Sequence, residues 1–135
     1  MLLPKKTKFK KLQKIRIKRK NNNIRYLDII KVKHVQILAL QNMRLRDDQL
    51  NAVKLSIMKH LKRKNSKVVS NVFTDLNCTK KASDVRMGKG KGFTNFWCCK
   101  IHKGVAVFCI FGECNLPLIQ AVCKKLPFLT KIVQF

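Results

Sequence analysis

The sequence predicts an α+β fold, a small mixed, mostly antiparallel sheet with two helices against it. Short segments rich in Ile, Val and Phe recur along the chain, which is typical of strands. Between them, residues 47–64 repeat their apolar side chains at helical spacing. The order strands, helix, strand, long loop, two strands, helix and strand is that of an α+β protein. The 135 residues, 46% of them hydrophobic, suit one domain with one core.

The first half of the domain is expected to contain three strands. Two of them are expected near Tyr26–Ile30 and Val32–Leu40, where Ile, Val and Leu are frequent. Gln41–Arg46 is then the connection to the first helix. The third strand is expected over Lys67–Thr74.

The stronger helix is expected from about Asp47 to Lys64. Its apolar residues recur at the spacing of a single stripe, which predicts a buried face. The stripe consists of Leu50, Val53, Ile57, Met58 and Leu61. Acidic residues at the start and basic residues at the end suit the helix dipole. The opposite face, with Lys54, Lys62 and Arg63, could meet either phosphate or water.

The second half begins with a long polar connection, Asp75–Gly92. A loop of this length without structure of its own is usually functional. Thr94–His102 and Val105–Phe111 are expected as strands joined in a hairpin at Lys103-Gly104. Leu129–Phe135 is expected to be a final edge strand.

The last helix is expected to begin after Asn115 as its cap and to end before Pro127. Its buried side is expected to carry Leu118, Ile119, Val122 and Leu126.

The strand expected at Thr94–His102 carries two aromatic residues. Phe96 is expected to pack in the core, and Trp97 is left open between core packing and contact with a base.

The charge of the chain predicts a polyanionic partner. There are 31 Lys and Arg against 6 Asp and Glu, a formal net charge of +25. Nucleic acid is the usual partner for such a chain. An anionic membrane surface is the weaker alternative, because no long basic helix with an aromatic face is present.

Residues 1–25 are predicted to form a basic arm, and residues 26–135 a single RNA-binding domain with an extended loop at 75–92.

The segment Val85–Gly92 reads VRMGKGKG and is the most informative in the chain. Alternate glycines permit a backbone with positive φ that can approach another backbone closely. The lysines between them supply point charges for phosphate, whereas Arg86 offers a planar fork of donors. We therefore expect Arg86 to set position and the lysines to set affinity.

Catalytic and metal-binding patterns are missing from the sequence. The six acids are dispersed, the three histidines have no metal-ligand spacing, and the six cysteines form no C-x-x-C pair. The cysteines are therefore interpreted as small buried hydrophobes in a reducing compartment. The glycine segment lacks the G-K-[ST] sequence of a nucleotide-binding loop. No enzymatic activity, cofactor or metal is expected.

Several segments resemble one known family, the bacterial-type large-subunit ribosomal protein sixteen. The opening MLLPKKTKFKK and the octet VRMGKGKG are similar to its start and its signature. Further matches follow in order, at Arg44-Leu45, Val72-Phe73 and Lys125-Leu126-Pro127. The sequence departs from the family at Gln41-Asn42-Met43 and at Asn77–Ser83, which affects local loop paths.

The resemblance implies a structural protein of the large ribosomal subunit with an α+β domain. It implies contact with large-subunit ribosomal RNA near the peptidyl-transferase centre, help in positioning transfer RNA at the A site, and contact with neighbouring ribosomal proteins. The expected RNA-binding residues are Lys5, Lys6, Thr7, Lys8, Lys10, Lys11, Lys14, Arg16 and Arg44, with Arg86, Met87, Gly88, Lys89, Gly90, Lys91 and Gly92 in the loop.

A second class of function is a free RNA-binding or RNA-modifying factor, which the charge alone would also suit. A modifying enzyme would need a cofactor pocket, for which the sequence offers no pattern.

The bias towards Lys, Asn, Ile and Phe suggests an AT-rich genome. Since the resemblance to the family starts at Met1, no added import segment is expected. These two points favour a mitochondrially encoded copy, with a plastid or bacterial cytoplasm as alternatives.

Overall fold

The structure is a computed structural model that describes residues 3–14, 16–17, 34–61 and 65–135. The strand expected near Tyr26–Ile30 lies outside these residues. The described elements are β1 His34–Ala39, β2 Met43–Arg46, α1 Asp47–Leu61, β3 Lys67–Ser70, β4 Leu76–Lys80, β5 Phe93–Ile101, β6 Ala106–Phe111, α2 Leu116–Cys123 and β7 Thr130–Gln134.

The strands form two antiparallel sheets rather than a single one. A four-stranded sheet has the order β3-β6-β1-β7, and a three-stranded sheet has the order β2-β5-β4. All strand pairs between described residues are antiparallel. The α+β class is therefore confirmed, and the expected sheet is divided in two.

The hairpin expected at Lys103-Gly104 is wrong, because β5 and β6 belong to different sheets. The amide of Gly104 donates to the carbonyl oxygen of Ala39 at 2.8 Å, and the amide of Ala39 donates to that of Val105 at 3.0 Å. These bonds fix the turn to the end of β1. The turn therefore carries the chain from the three-stranded sheet into the four-stranded one.

Two further elements differ from the expected ones. Met43–Arg46, expected as a connection, is strand β2 and pairs with β5. Leu76–Lys80, expected within the long loop 75–92, is strand β4 and pairs with the other side of β5. Both segments are short, with four and five residues, so pairing with β5 decides their strand conformation. The loop itself covers residues 81–92.

The apolar stripe of α1 packs into the core. Leu50, Val53, Ile57 and Leu61 are all at most 5% exposed, whereas the fifth predicted member, Met58, is 44% exposed. Successive residues are about 100° apart around a helix, so Met58 lies at the side of the stripe that Ile57 centres.

The buried side of α2 is confirmed with one exception. Ile119, Val122 and Leu126 are buried, but Leu118 is 41% exposed. Leu118 precedes Ile119 by one residue and therefore points about 100° away from it. The helix also ends earlier than expected, at Cys123. The final edge strand is confirmed as β7, which pairs with β1 in the described part of the chain.

Candidate nucleic-acid interface

The basic arm lies against β4 and is held there by one buried side chain. Asn77, 2% exposed, accepts a hydrogen bond from the amide of Leu12 at 3.2 Å through its Oδ1. Its Nδ2 donates to the carbonyl oxygen of Lys10. A side-chain amide that satisfies a backbone donor and a backbone acceptor two residues apart fixes the path of an extended segment.

The arm and the loop are joined by a reciprocal pair of lysine contacts. The Nζ of Lys11 donates to the carbonyl oxygen of Lys91 at 2.7 Å. The Nζ of Lys91 in turn donates to the carbonyl oxygen of Leu12 at 2.8 Å. Two segments about 80 residues apart in sequence are therefore neighbours, and Lys91 has a structural contact besides the charge for which it was predicted.

The loop makes a tight left-handed turn at its tip. Gly88, Lys89 and Gly90 have φ values of +102°, +50° and +82°, a region that side chains with a Cβ rarely adopt. The ammonium of Lys81 donates to the carbonyl oxygen of Gly88. This contact ties the tip of the loop back to its first residue.

Gly92 closes the loop by a close approach between backbones. A Cβ at this position would lie 2.7 Å from the amide nitrogen of Lys81 and would also meet the carbonyl group of Lys80. Since backbone atoms cannot move aside as a flexible side chain can, a side chain at position 92 would push the end of the loop away from β4. The glycine is therefore needed for packing here.

The predicted RNA-binding residues fall into one exposed group with two exceptions. Those on the arm, Lys5, Lys6, Thr7, Lys8, Lys10, Lys11, Lys14 and Arg16, are all exposed, as are residues 86–91 of the loop. Gly92 is half-buried for the reason just given. Arg44 is also half-buried, and it lines a shallow depression with Arg16 and Ile17. The arm therefore connects the loop at one end with Arg44 at the other.

Acidic side chains of the described residues do not neutralise the charge of the arm and the loop. An ion pair between described residues joins Arg46 and Asp48 at 2.6 Å, where β2 meets α1. No cation of the described part of the arm, or of residues 81–92, has an acidic side chain within ion-pair distance. Such a surface attracts phosphate groups and their counterions.

The two aromatic residues of β5 have different surroundings. Phe96 is half-buried beneath the guanidinium of Arg46, which lies 4.7 Å from the ring centroid. It is therefore only partly in the core, and a cation covers one face. Trp97 is half-buried on the other side of the strand, opposite Asn77.

The cysteines are small buried residues, as the sequence predicted. Five are buried and Cys114 is partly exposed. Burial and a hydrogen bond with Cys78 raise the pKa of the Cys98 thiol to about 12. This thiol is consequently protonated at neutral pH and, like other buried structural cysteines, inert as a nucleophile.

The described ranges lack two other kinds of site. They contain no group of three or more His, Cys, Asp and Glu side chains that could hold a metal ion. Neither α1 nor any other helix in that part of the chain has the length and apolar character needed to cross a membrane.

Asn77 is the residue of this surface that the sequence did not reveal. It stands in a segment that the sequence assigned to a loop, and no local pattern marks it as buried. Its burial follows from the pairing of β4 with β5 and from the arm above it. A polar residue that pairs with a distant backbone can be recognised only once the two segments are placed together.

Replacing Asn77 by Ala is expected to release the arm. Two hydrogen bonds are lost, each of which contributes roughly 0.5–1.5 kcal/mol, so the attached state of the arm should weaken by about 1–3 kcal/mol. Hydrogen exchange at the Leu12 amide measures this directly and should become faster. Asn115→Ala is the matched control, because the Asn115 side chain makes no cap hydrogen bond. Unchanged exchange at Leu12 in the Asn77 variant would contradict the assignment.

The chain is similar to known proteins over nearly its whole length. The model of the family described as ribosomal protein L16p/L10e matches residues 4–133. The chain is 38% identical over 136 residues to large ribosomal subunit protein uL16 of Maricaulis maris and 34% identical over 136 residues to that of Paracoccus denitrificans. Both alignments cover 98% of this chain and 96% of the relative. Large ribosomal subunit protein uL16c of Emiliania huxleyi is 32% identical over 139 residues, with the same coverage.

Proposed function

Because the chain belongs to the ribosomal protein L16p/L10e family, we propose that its arm and loop bind large-subunit ribosomal RNA near the peptidyl-transferase centre and help to position transfer RNA at the A site. Family membership makes the protein a structural constituent of the large ribosomal subunit and not an enzyme. Its partners are ribosomal RNA and other ribosomal proteins.

The observation that carries the proposal is the contact between arm and loop. Each segment alone is a short basic peptide, which binds polyanions weakly and without a defined orientation. Held together by Lys11, Lys91 and Asn77, they form one cationic surface on a folded domain. Phosphate contacts from such a surface fix the position of the protein on RNA.

Within this surface the loop residues have different roles. Arg86 is exposed at the start of the turn, and its guanidinium can make paired contacts with a phosphate or a base edge. Met87 is fully exposed, at 101% of its reference area, and is available for apolar contact with RNA. Gly88 and Gly90 give the tip its left-handed path, and Lys89 lies between them. The tip is the part we assign to the region near transfer RNA.

Gly90→Val is expected to impair the ribosome more than Lys89→Ala, although it removes no charge. A β-branched residue at φ +82° is strained by about 1–3 kcal/mol, so the tip would change its path. There are no atoms within 4 Å of a Cβ at this position, and the strain is therefore in the backbone alone. Large subunits would be reconstituted with each variant, and transfer-RNA binding at the A site and the rate of peptide-bond formation measured.

Arg86→Lys belongs to the same set, because it keeps the charge and removes the fork of donors. It is expected to bind the subunit but to accommodate transfer RNA more slowly. The geometric interpretation fails if Lys89→Ala and Lys91→Ala are the only damaging changes in the loop.

We also propose in which compartment of the cell the ribosome that contains this protein is found. A place in the large ribosomal subunit follows from the relatives. We propose the mitochondrial ribosome in particular, and the support is compositional: 24 of the 31 basic residues are lysine and only 7 are arginine, a bias expected of an AT-rich genome. Cell fractionation with detection of the chain in mitochondrial, plastid and cytoplasmic ribosomes tests this.

A further inference from the structure

We propose that the concave site between the end of β4 and the start of β5 binds one unpaired nucleotide, with its base stacked on Phe93 and its phosphate on Lys80 and Lys81. This inference rests on the proposed function, since the nucleotide belongs to the ribosomal RNA that the arm and loop bind. It adds a defined subsite, and a contact with a base, to a surface so far described by its charge.

The site is an open depression large enough for one nucleotide. Its volume is about 380 Å³, within the range of roughly 300–1,000 Å³ that small-molecule sites occupy. The lining that could contact a nucleotide comprises Lys80, Lys81, Ser83, Phe93, Thr94 and Asn95. One aromatic ring, two ammonium groups and three uncharged polar side chains match the three parts of a nucleotide: base, phosphate and ribose.

Phe93 is a large apolar residue that remains exposed at the first position of β5. The side chain is 86% exposed; it pairs with Lys80 of β4 and lies beyond the residues of β5 that pair with β2. An aromatic ring left in water at the foot of a cationic loop offers a flat apolar face. Unpaired RNA bases stack on such rings.

The positions of the two lysines suit a phosphate beside the stacked base. Lys80 pairs directly with Phe93 across the strands, so their side chains project from the same face as close neighbours. Lys81 donates one of its three N–H bonds to the carbonyl oxygen of Gly88, which holds the ammonium in place and leaves two donors for a ligand. Both groups can therefore reach a phosphate attached to a nucleoside on Phe93.

The backbone next to Phe93 is fixed before any RNA arrives. Gly92 packs against the backbone of Lys80 and Lys81 so closely that a Cβ would not fit. The residue that carries the ring therefore starts from a constrained position. A preformed site costs less ordering entropy on binding than a mobile one does.

The remaining polar side chains can distinguish RNA features. Asn95 carries both a donor and an acceptor, and Ser83 and Thr94 carry hydroxyl groups. Such groups can bond to a base edge or to the ribose 2′-hydroxyl, the group that separates RNA from DNA. The Ser83 hydroxyl already bonds to Asp84 at 3.1 Å, which leaves Asn95 and Thr94 as the main candidates.

The test measures the affinity of the full chain for protein-free large-subunit ribosomal RNA at several salt concentrations. Phe93→Ala and Phe93→Leu remove the aromatic face, and Phe93→Tyr keeps it. The matched control is Phe73→Ala, which removes a 50% exposed phenylalanine outside the site. Both positions lie at the surface, so circular dichroism should show the same fold for all four variants. Chemical probing of the RNA bases is performed on the same complexes.

Phe93→Ala and Phe93→Leu are expected to weaken binding by about 5- to 100-fold, the range that corresponds to one lost stacking contact. Phe93→Tyr and Phe73→Ala are expected to bind like the unmodified protein. The slope of log affinity against log salt concentration should not change for any Phe93 variant, because no phosphate contact is lost. One base protected in the unmodified complex should become reactive with Phe93→Ala.

Two outcomes would overturn the inference, and they differ from failure of the proposed function. If the unmodified protein binds the RNA but Phe93→Ala binds equally well, Phe93 does not stack on RNA. If Phe93→Leu binds as Phe93→Tyr does, the contact with RNA needs apolar area but no aromatic face, and the base does not stack on the ring. Failure of the proposed function would instead appear as weak, salt-insensitive binding of the unmodified protein itself.

Discussion

Raising the salt concentration from 50 to 200 mM is expected to weaken binding of the protein to large-subunit ribosomal RNA by about 10³- to 10⁵-fold. The net charge is +25, and the described cations of the arm, with Arg86, Lys89 and Lys91 of the loop, are exposed and have no acidic partner among the described residues. Each phosphate contact releases counterions from the RNA. A surface with roughly six to ten such contacts gives this loss of affinity.

The slope of the salt dependence also identifies which cations take part. Replacing Lys5, Lys6 and Lys8 by Gln should lower the slope by about 0.7–0.9 for each phosphate contact removed. The matched control replaces Lys103, Lys124 and Lys131, which are also exposed but belong to other elements, after β5, after α2 and on β7. Filter binding over a salt series measures both. A flat response of the unmodified protein, or equal slopes for the two triple variants, would contradict phosphate binding by the arm.

Replacing Leu50 by Ala is expected to lower the free energy of unfolding by about 2–5 kcal/mol. Leu50 is completely buried and belongs to the main core cluster beneath α1. Its truncation removes apolar contact and leaves a cavity that the neighbouring strands cannot close. Urea unfolding of the free protein, followed by circular dichroism, gives the change.

Leu55→Ala provides the matched control for this prediction. It is the same substitution in the same helix, at a position that is 64% exposed. Its effect is expected to be within about 0.5 kcal/mol of zero, as for most surface substitutions. Equal effects of the two variants would mean that the stripe of α1 does not form the core.

The stripe of α1 shows how much of the core a local sequence pattern can predict. A helix of 15 residues repeats its pattern four times, so four of its five predicted buried residues are correct. The prediction that Met58 is buried was wrong, because a residue at the border of the stripe meets the same spacing rule as one at its centre. The charge of the arm and the glycine-lysine segment were likewise visible, since both are local and neither depends on a partner.

The division into two sheets was not visible in the sequence. β5 and β6 follow one another with a short glycine-containing turn between them, which is the usual signature of a hairpin. A turn that leads from one sheet to another can have the same signature, because it needs a similar local backbone conformation. Only the bonds between this turn and β1 distinguish the two.

The amino-acid sequence by itself determined the fold class, the principal helix, the cationic character of both ends of the interface and, through its resemblance, the family. These depend on composition and on patterns a few residues long. Tertiary structure decided which segments pair with β5, that Asn77 is buried under the arm, that Lys91 bonds to Leu12, and that Phe93 lies beside Lys80. Each of these is a contact between residues far apart in the chain. Such contacts depend on the closure of long loops around a shared core, for which no short pattern carries a signal.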